Sequence, residues 1–332
     1  MKILVLGGTV FVGRHLTQTA IERGHEVTLF NRGQHNPELF PEAGKLQGDR
    51  DGGLEPLVGG QWDAVIDTCG YFPRIVKASA KLLAPNCGHY TFVSSISVYA
   101  DASKPGVDEK SVVGVLADPS FEEITAETYG PLKALCEQEV NRAFPGRSLI
   151  IRPGLIVGPH DPTDRFTYWP VRANRGGEIL APNVPSAPVQ IIDVRDLSEW
   201  MLDMVEKQAV GCFNATGPDY YLSMSRFLTR CIAVTGREAT LIWVDEGFLL
   251  ESGVSEWIDL PLWVNSESEK GLLATNVGKA ISAGLSYRSL DETIDETLLW
   301  ANSRDPNHQW RAGLSQSKEA QLLALWHKRT AP

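Results

Sequence analysis

The strongest constraint on the fold is a glycine-rich segment that directly follows the first apolar run of the chain. Ile3–Leu6 leads into the segment GGTVFVG at 7–13, apolar residues recur at helical spacing over 11–22, and Val27–Phe30 forms a second apolar run. This order and length predict one βαβ unit. Because a helix N-terminus offers free backbone N–H groups and a positive dipole end, the turn favours a pyrophosphate. The site residues expected here are Gly7, Thr9, Phe11, Val12 and Gly13, although an ordinary tight strand–helix turn is the alternative.

The alternation continues along the first half of the chain, with strands expected at 64–66, 90–93 and 148–151 and helices at 75–83 and 126–143. Such an order predicts a parallel sheet with helices on both faces. We therefore expect an α/β protein with a doubly wound parallel Rossmann sheet over residues 1–160, to which 188–216 returns. A smaller mixed α/β substrate-binding domain is expected from 161–187 and 217–332, where proline, glycine and tryptophan become frequent.

Composition narrows the classes of function. The formal net charge of −10 disfavours a nonspecific nucleic-acid binder. No run of roughly 18 apolar residues occurs, so no membrane partner is expected. The five cysteines contain no CxxC pair, which indicates neither a disulfide framework nor a zinc site, and no metal is expected. The N-terminus, MKILVLGG, lacks the features of a signal peptide and predicts a cytoplasmic protein.

The end of the second predicted strand bears on the choice of dinucleotide. The acidic residue that would accept a hydrogen bond from the ribose of NAD is missing, and Asn31-Arg32 stands in its place. A guanidinium pairs well with a 2′-phosphate, so NADP is favoured and NAD is the alternative. In the other interpretation, Arg32 is solvated and Asn31 binds a ribose hydroxyl.

Three further residues predict proton chemistry. Ser95 follows a buried strand, and ligands of doubly wound sheets bind at the carboxyl ends of strands. Tyr129 and Lys133 are four residues apart, which places them on one face of a helix. A nearby ammonium lowers the pKa of a phenol, which can then exchange a proton with a substrate alcohol or carbonyl. Pro131 between them is tolerated best in a first helical turn, so the helix is expected to begin near Tyr129.

Together these motifs resemble the extended short-chain dehydrogenases/reductases of the NAD(P)-dependent epimerase/dehydratase kind. The resemblance rests on GGTVFVG at 7–13, SSISVY at 94–99, YGPLK at 129–133, RPG at 152–154, VQIIDVRDL at 189–197 and Asp49, and it spans roughly the first 200 residues. The subgroup with the pattern GGTxFxGR, isoflavone-reductase-like and including chloroplast RNA-binding relatives, tolerates a side chain at Val10, where the family's middle glycine normally stands. A homodimer is common in the family and is a possible state of this chain.

The resemblance implies specific roles. Ser95, Tyr129 and Lys133 would be the catalytic set, and Lys133 would also reach the nicotinamide ribose. Phe11 and Val12 would offer amides to the pyrophosphate. The remaining implied cofactor contacts are Asp49 and Arg50 near adenine, Cys69 next to the ribose and Pro153 near nicotinamide.

The sequence says less about which residues bind the substrate. Arg165 lies in a proline-rich loop after the sixth strand and can grip a phosphate or carboxylate. Alternatively, Asp161, Asp164 and Arg165 form a local ion-pair network that caps the following helix. Asp193, with Arg195 two residues on, is likewise divided between substrate binding and a structural role.

These observations predict an NAD(P)-dependent oxidoreductase or epimerase that acts on a hydroxyl or carbonyl carbon of a small molecule, most simply a sugar or sugar nucleotide. The alternative is a non-catalytic dinucleotide-sensing or RNA-associated binding protein on the same fold. The negative net charge opposes RNA binding, since such binding depends on neutralising phosphates, and no nucleic-acid partner is expected.

Overall fold

The computed structural model describes residues 1–331. Its strands are β1 (Lys2–Leu6), β2 (Glu26–Asn31), β3 (Gly44–Gln47), β4 (Trp62–Asp67), β5 (Cys87–Val93), β6 (Ser148–Pro153), β7 (Leu155–Val157), β8 (Gly177–Pro182), β9 (Ile191–Asp193), β10 (Gly211–Ala215) and β11 (Ala239–Val244). Its α-helices are α1 (Phe11–Glu22), α2 (Pro73–Leu83), α3 (Ala126–Ala143), α4 (Tyr168–Asn174), α5 (Val194–Glu206), α6 (Met224–Thr235), α7 (Glu246–Glu251), α8 (Gly278–Ser282), α9 (Leu290–Asn302) and α10 (Gln316–Thr330).

Seven parallel strands form the central sheet, in the order β3-β2-β1-β4-β5-β6-β10. The inner strands are almost wholly buried because helices cover both faces, as their continuous apolar runs require. Helices α1 and α5 pack together on one face, and α2 and α3 pack together on the other. The predicted doubly wound parallel Rossmann sheet is confirmed.

The strand order reverses at β1: β2 and β3 lie on one side of this strand, and β4 to β6 lie on the other. Strand β10 joins the far edge beside β6, with Phe213 opposite Ile151. Ligands of such sheets bind where the strand order reverses, outside the carboxyl ends of the strands. This topology therefore places the glycine turn after β1 and the residues after β4 and β5 at one edge.

A second apolar core lies in the C-terminal half. It contains Trp169, Phe227, Trp263 and Leu322, all almost fully buried, and includes the parallel pair β8–β11. Helices α4, α6 and α9 pack on one another around this core. The proposed division of the chain at residues 160 and 216 stays a prediction. Within residues 1–331, no helix combines the length and the apolar character needed to cross a bilayer.

Candidate active site

A single large cleft of about 1700 Å³ opens at the carboxyl ends of the central strands. Its walls contain nearly all of the residues singled out in the sequence: Gly7, Thr9, Phe11, Val12, Gly13, Asn31, Arg32, Asp49, Arg50, Cys69, Ser95, Tyr129, Lys133, Pro153 and Arg165. Asp193 does not line it. The cleft thus connects the glycine turn at one end with the phenol of Tyr129 and the loop of Arg165 at the other.

The glycine turn is shaped by close backbone contacts. Gly7 and Gly8 have φ of 107° and 96°, a region that favours glycine. A Cβ on Gly13 would lie 2.6 Å from the backbone nitrogen of Gly8, so only glycine lets α1 approach the turn. Val10, by contrast, has φ of −127°, which any residue adopts. A valine therefore fits this backbone without strain.

Two asparagine side chains hold the turn in place. The Asn31 amide donates to the carbonyl oxygen of Gly7 (2.9 Å), and its oxygen accepts from the N–H of Gly33 (2.8 Å). The Asn36 amide donates to the carbonyl of Thr9 (2.9 Å). Asn31 therefore positions the turn, which disfavours the interpretation that its amide binds a ribose hydroxyl. Arg32 is exposed and its guanidinium has no ion-pair partner within the described part of the chain.

Arg50 lines the cleft, but its guanidinium points to a buried carboxylate. Its nitrogens donate to Asp67 Oδ1 (2.6 Å) and to Ser79 Oγ (2.9 Å), and the Tyr90 hydroxyl donates to Asp67 Oδ2 (2.8 Å). This pairing ties the loop after β3 to the ends of β4 and β5. Arg50 is thus held as a structural residue in the wall of the cleft. Cys69 is close to it, and burial raises the pKa of the Cys69 thiol.

Lys133 is buried in the wall of the cleft. Its ammonium donates to the carbonyl oxygens of Gly70 (2.7 Å) and Val93 (2.6 Å) and lies 4.3 Å from the centre of the Phe92 ring. Burial lowers the pKa of Lys133 to about 8. The Tyr71 ring lies 5.3 Å from the same nitrogen. Two carbonyls leave one of its three N–H donors for a ligand.

Tyr129 is partly buried in the cleft wall beside Ser95. Burial raises the pKa of the Tyr129 phenol, while the Ser95 hydroxyl and the positive charge of Arg165 act in the opposite direction. The positive charge of Arg165 therefore favours the phenolate in this structure. The same effect assigned to Lys133 stays a prediction.

The structure decides between two expected starts of α3. The helix begins at Ala126, as the predicted span 126–143 has it and not near Tyr129 as Pro131 indicated. Thr125 caps it: the Thr125 hydroxyl accepts from the N–H of Thr128, and the Thr128 hydroxyl accepts from the N–H of Thr125. Pro131 then stands in the second turn. Gly130 lets α3 approach the short 3-10 turn after Ser95, since any Cβ there would overlap the carbonyl oxygen of Ser97. This contact sets Tyr129 against Ser95.

A buried polar network, missed in the sequence, lies behind these residues. The Arg152 guanidinium donates to both Glu137 oxygens (2.9 and 2.6 Å), and the Ser94 hydroxyl donates to Glu137 Oε1 (2.5 Å). Arg152 also donates to the Tyr99 hydroxyl (3.1 Å), which donates to Asn214 Oδ1 (2.6 Å). The network joins α3, β6 and β10 to the segment that carries Ser95.

The loop after β7 resolves the alternatives left open for its charges. Asp164 is buried and pairs with Arg304 (2.6 Å) and His308 (2.9 Å). Asp161 accepts from the Thr163 N–H (2.8 Å), and burial raises its pKa to about 6. Neither carboxylate pairs with Arg165, so the proposed local network of these three residues does not form.

Asp193 has a structural position. It caps the N-terminus of α5 through the N–H of Arg195 (2.9 Å), pairs with the Arg195 side chain (2.7 Å) and accepts from the Thr293 hydroxyl (2.8 Å). Every one of these partners is outside the cleft. The prediction that Asp193 binds substrate is therefore corrected in favour of its structural alternative.

Comparison with known proteins gives two partial sequence matches; no family model matches the chain. The chain is 29% identical over 241 residues to the chloroplast stem-loop binding protein of 41 kDa b from Arabidopsis thaliana, covering 66% of this chain and 59% of that protein. It is 32% identical over 183 residues to 2-alkyl-3-oxoalkanoate reductase from Stenotrophomonas maltophilia, covering 48% and 52%. The chain thus spans little more than half the length of these relatives.

Solved structures resemble the chain over nearly its whole length. The UDP-N-acetylglucosamine 4-epimerase of Bacillus cereus has a TM-score of 0.68 at 16% identity and covers 93% of this chain and 99% of its own. The UDP-glucuronic acid 4-epimerase of the same organism, solved with NAD, has a TM-score of 0.64 at 16% identity, with coverages of 91% and 99%. At such identities the likeness establishes the fold shared with these epimerases.

Proposed function

We propose that the chain is an NAD(P)-dependent oxidoreductase or epimerase of the short-chain dehydrogenase type, acting at a hydroxyl or carbonyl carbon. One observation carries the proposal: one cleft joins an open glycine turn to the partly buried phenol of Tyr129 beside Ser95, and Lys133 lines the same cleft. The NAD-bound epimerase that shares the fold and the partial match to a reductase support it.

The residues present fit a dinucleotide. The N-terminus of α1 has no side-chain cap, unlike α3 and α5, so its first amides are left for a ligand. The glycines keep this region clear of side chains, and Lys133 retains an N–H donor at the other end. Phe11 and Val12 would hold the pyrophosphate, and Lys133 the nicotinamide ribose. When bound, the cofactor supplies or accepts the hydride.

The chain's own groups then handle the proton and the substrate oxygen. In reduction, the Tyr129 hydroxyl gives its proton to the forming alkoxide. In oxidation, the Tyr129 phenolate takes the proton of the substrate alcohol as the C–H bond of that alcohol breaks. Ser95 orients the same oxygen. Because burial raises the pKa of Tyr129, the phenol is mostly protonated at neutral pH, which suits reduction of a carbonyl. A sugar or sugar nucleotide is the substrate class we propose.

NADP is the proposed cofactor, with NAD as the alternative. The exposed guanidinium of Arg32 lies in the cleft wall beyond the end of β2, without an ion-pair partner among residues 1–331, and can take a 2′-phosphate. Titration of both cofactors should show a preference for NADPH that Arg32→Ala removes. A preference for NADPH that Arg32→Ala leaves unchanged would refute this assignment.

The central test compares Tyr129→Phe with Tyr220→Phe, a matched loss of one phenol hydroxyl at a residue outside the cleft. Turnover is followed by the absorbance of the reduced nicotinamide on a panel of hydroxyl and carbonyl compounds. Tyr129→Phe should abolish turnover and leave cofactor binding intact, whereas Tyr220→Phe should behave as the wild type. Full turnover in Tyr129→Phe, or a wild-type protein that binds neither dinucleotide, would refute the proposal.

The second candidate is an RNA-associated or dinucleotide-sensing protein without turnover, favoured by the partial match to a stem-loop binding protein. The net charge of −10 argues against it. A salt-dependent shift of a stem-loop RNA by the purified protein, together with absence of turnover, would favour this candidate.

A further inference from the structure

Arg165 lines the cleft without an anionic partner in the described part of the chain. Its side chain is only partly buried and lines the cleft, yet its guanidinium makes no salt bridge and no side-chain hydrogen bond within residues 1–331. Among the other buried or partly buried arginines, Arg147 donates to backbone carbonyls and Arg14, which has no salt bridge among the described residues, lies outside the cleft. Others pair with carboxylates: Arg50, Arg152, Arg172, Arg195, Arg288 and Arg304. A guanidinium withdrawn from water without an acceptor is unfavourable unless a ligand provides one.

The neighbouring acids are held away from it. Asp164, one residue earlier, adopts a φ of 61° and turns to Arg304, His308 and the N–H of Arg311. Asp161 is bound by the N–H and the hydroxyl of Thr163. The loop therefore contains two carboxylates close in sequence to Arg165 and directs both to other partners.

Arg165 is supported instead by an aromatic ring. Its guanidinium carbon lies 5.7 Å from the centre of the Trp257 ring, a distance at which cation–π attraction operates. Trp257 also lines the cleft, and its φ of 62° is rare for so large a residue. Such backbone strain persists only where surrounding structure enforces it, and it concentrates at binding sites. The ring and the guanidinium together form a rigid platform that faces the cleft.

This platform is close to the proposed reacting centre. The charge of Arg165 is felt at the Tyr129 phenol, and both side chains line the cleft. An anion bound to Arg165 would therefore lie near the carbon whose oxygen meets Tyr129.

On the basis of the proposed function, we propose that the substrate carries a carboxylate or phosphate close to its reacting carbon, and that Arg165 on Trp257 is the residue that selects it. A planar guanidinium pairs with either group through two parallel hydrogen bonds, which lysine cannot reproduce. Arg165 is thus a specificity residue, distinct from the groups that move the proton.

The test uses matched pairs of compounds that differ only in the anion. One pair is acetoacetate and its methyl ester, and the other is glucose 1-phosphate and methyl glucoside. Binding is measured by calorimetry to the full chain, with and without NADPH, in the wild type, Arg165→Met, Arg165→Lys and Arg175→Met. Arg175 is exposed and outside the cleft, so its substitution is a control for the loss of one positive charge.

The wild type should bind one anionic compound about tenfold or more tightly than its neutral partner. Arg165→Met should lose that preference with unchanged NADPH affinity, Arg165→Lys should recover it only in part, and Arg175→Met should keep it. Preference in the acetoacetate pair identifies a carboxylate, and preference in the sugar pair a phosphate. Equal binding within both pairs in the wild type, or a preference that survives in Arg165→Met, overturns the inference. Failure of NADPH to bind would count against the proposed function alone, because the anion preference is also measured without it.

Discussion

The contact between α3 and the segment after Ser95 makes a sharp prediction for Gly130→Ala. The added Cβ would overlap the carbonyl oxygen of Ser97 and would lie 2.8 Å from its carbonyl carbon. Carbon atoms in contact are about 3.5–4.0 Å apart, so the helix or the segment must move by about 1 Å. Both partners are backbone, so no side chain can rotate away to relieve the overlap.

Such overpacking should destabilise the protein by about 1–3 kcal/mol. Because a displacement of about 1 Å at a reacting group can lower a rate about 100-fold, the same substitution should reduce turnover far more than cofactor affinity. The glycine turn, which is at the other end of the cleft, is untouched. Urea unfolding followed by tryptophan fluorescence gives the free energy of unfolding, and NADPH titration gives the affinity.

The matched control is Gly278→Ala, where the nearest atom to the new Cβ is a side-chain oxygen of Asn276 at 3.3 Å. This variant should be within about 0.5 kcal/mol of the wild type. If Gly130→Ala proves as stable as Gly278→Ala, then α3 does not approach Ser97 as described, and the positioning of Tyr129 against Ser95 loses its physical basis.

Three further substitutions test other parts of the site. Glu137→Gln leaves Arg152 buried beside a neutral partner and should cost about 3–5 kcal/mol in urea unfolding; wild-type stability would show that this ion pair is not needed. Asp161 has a folded pKa of about 6 against 3.8 ordinarily, so the native state binds its proton more tightly and stability falls as pH rises between these values. Asp161→Asn should therefore be more stable than the wild type at neutral pH by up to about 3 kcal/mol, and unfolding curves should converge below about pH 4, whereas a constant difference at all pH values would contradict the shift. Val10→Gly should destabilise by about 0.5–1 kcal/mol without tightening NADPH binding, because valine already fits the extended backbone there; a marked gain in affinity would mean that the valine obstructs the pyrophosphate.

The sheet could be predicted because short stretches of sequence are enough to indicate its strands and the helices that cover it. Short buried strands and amphipathic helices differ in hydrophobic period, and α1 begins and ends at Phe11 and Glu22, where the pattern predicted it. The expected return of 188–216 to the sheet holds for 211–215, which pair with β6 as β10. Once the order of strands is known, the motifs that follow the strands must lie together at the carboxyl edge of the sheet. The fold therefore predicts the position of the cleft.

Pairing between distant residues was not predictable from the sequence. Nothing near Arg50 indicates that its partner is Asp67, and Glu137 meets Arg152 only because α3 packs across β6. The start of α3 was predicted in two ways, and the span 126–143 proved right because the cap at Thr125 prevails over the start that Pro131 indicated. Strong local rules compete, and only the packed structure shows which one prevails.

The distribution of charge in the cleft separates structure from binding. Arg50 is neutralised by Asp67, and Lys133 gives two of its three protons to backbone carbonyls, so both are fixed before any ligand arrives. Arg32 and Arg165 have no ion-pair partner among the described residues, and both line the cleft, Arg32 beyond the end of β2 and Arg165 in the loop after β7. Since an unpaired guanidinium gains most from an anionic ligand, this pattern fits two bound anions. The anion at Arg32 would be the cofactor's, and the anion at Arg165 the substrate's.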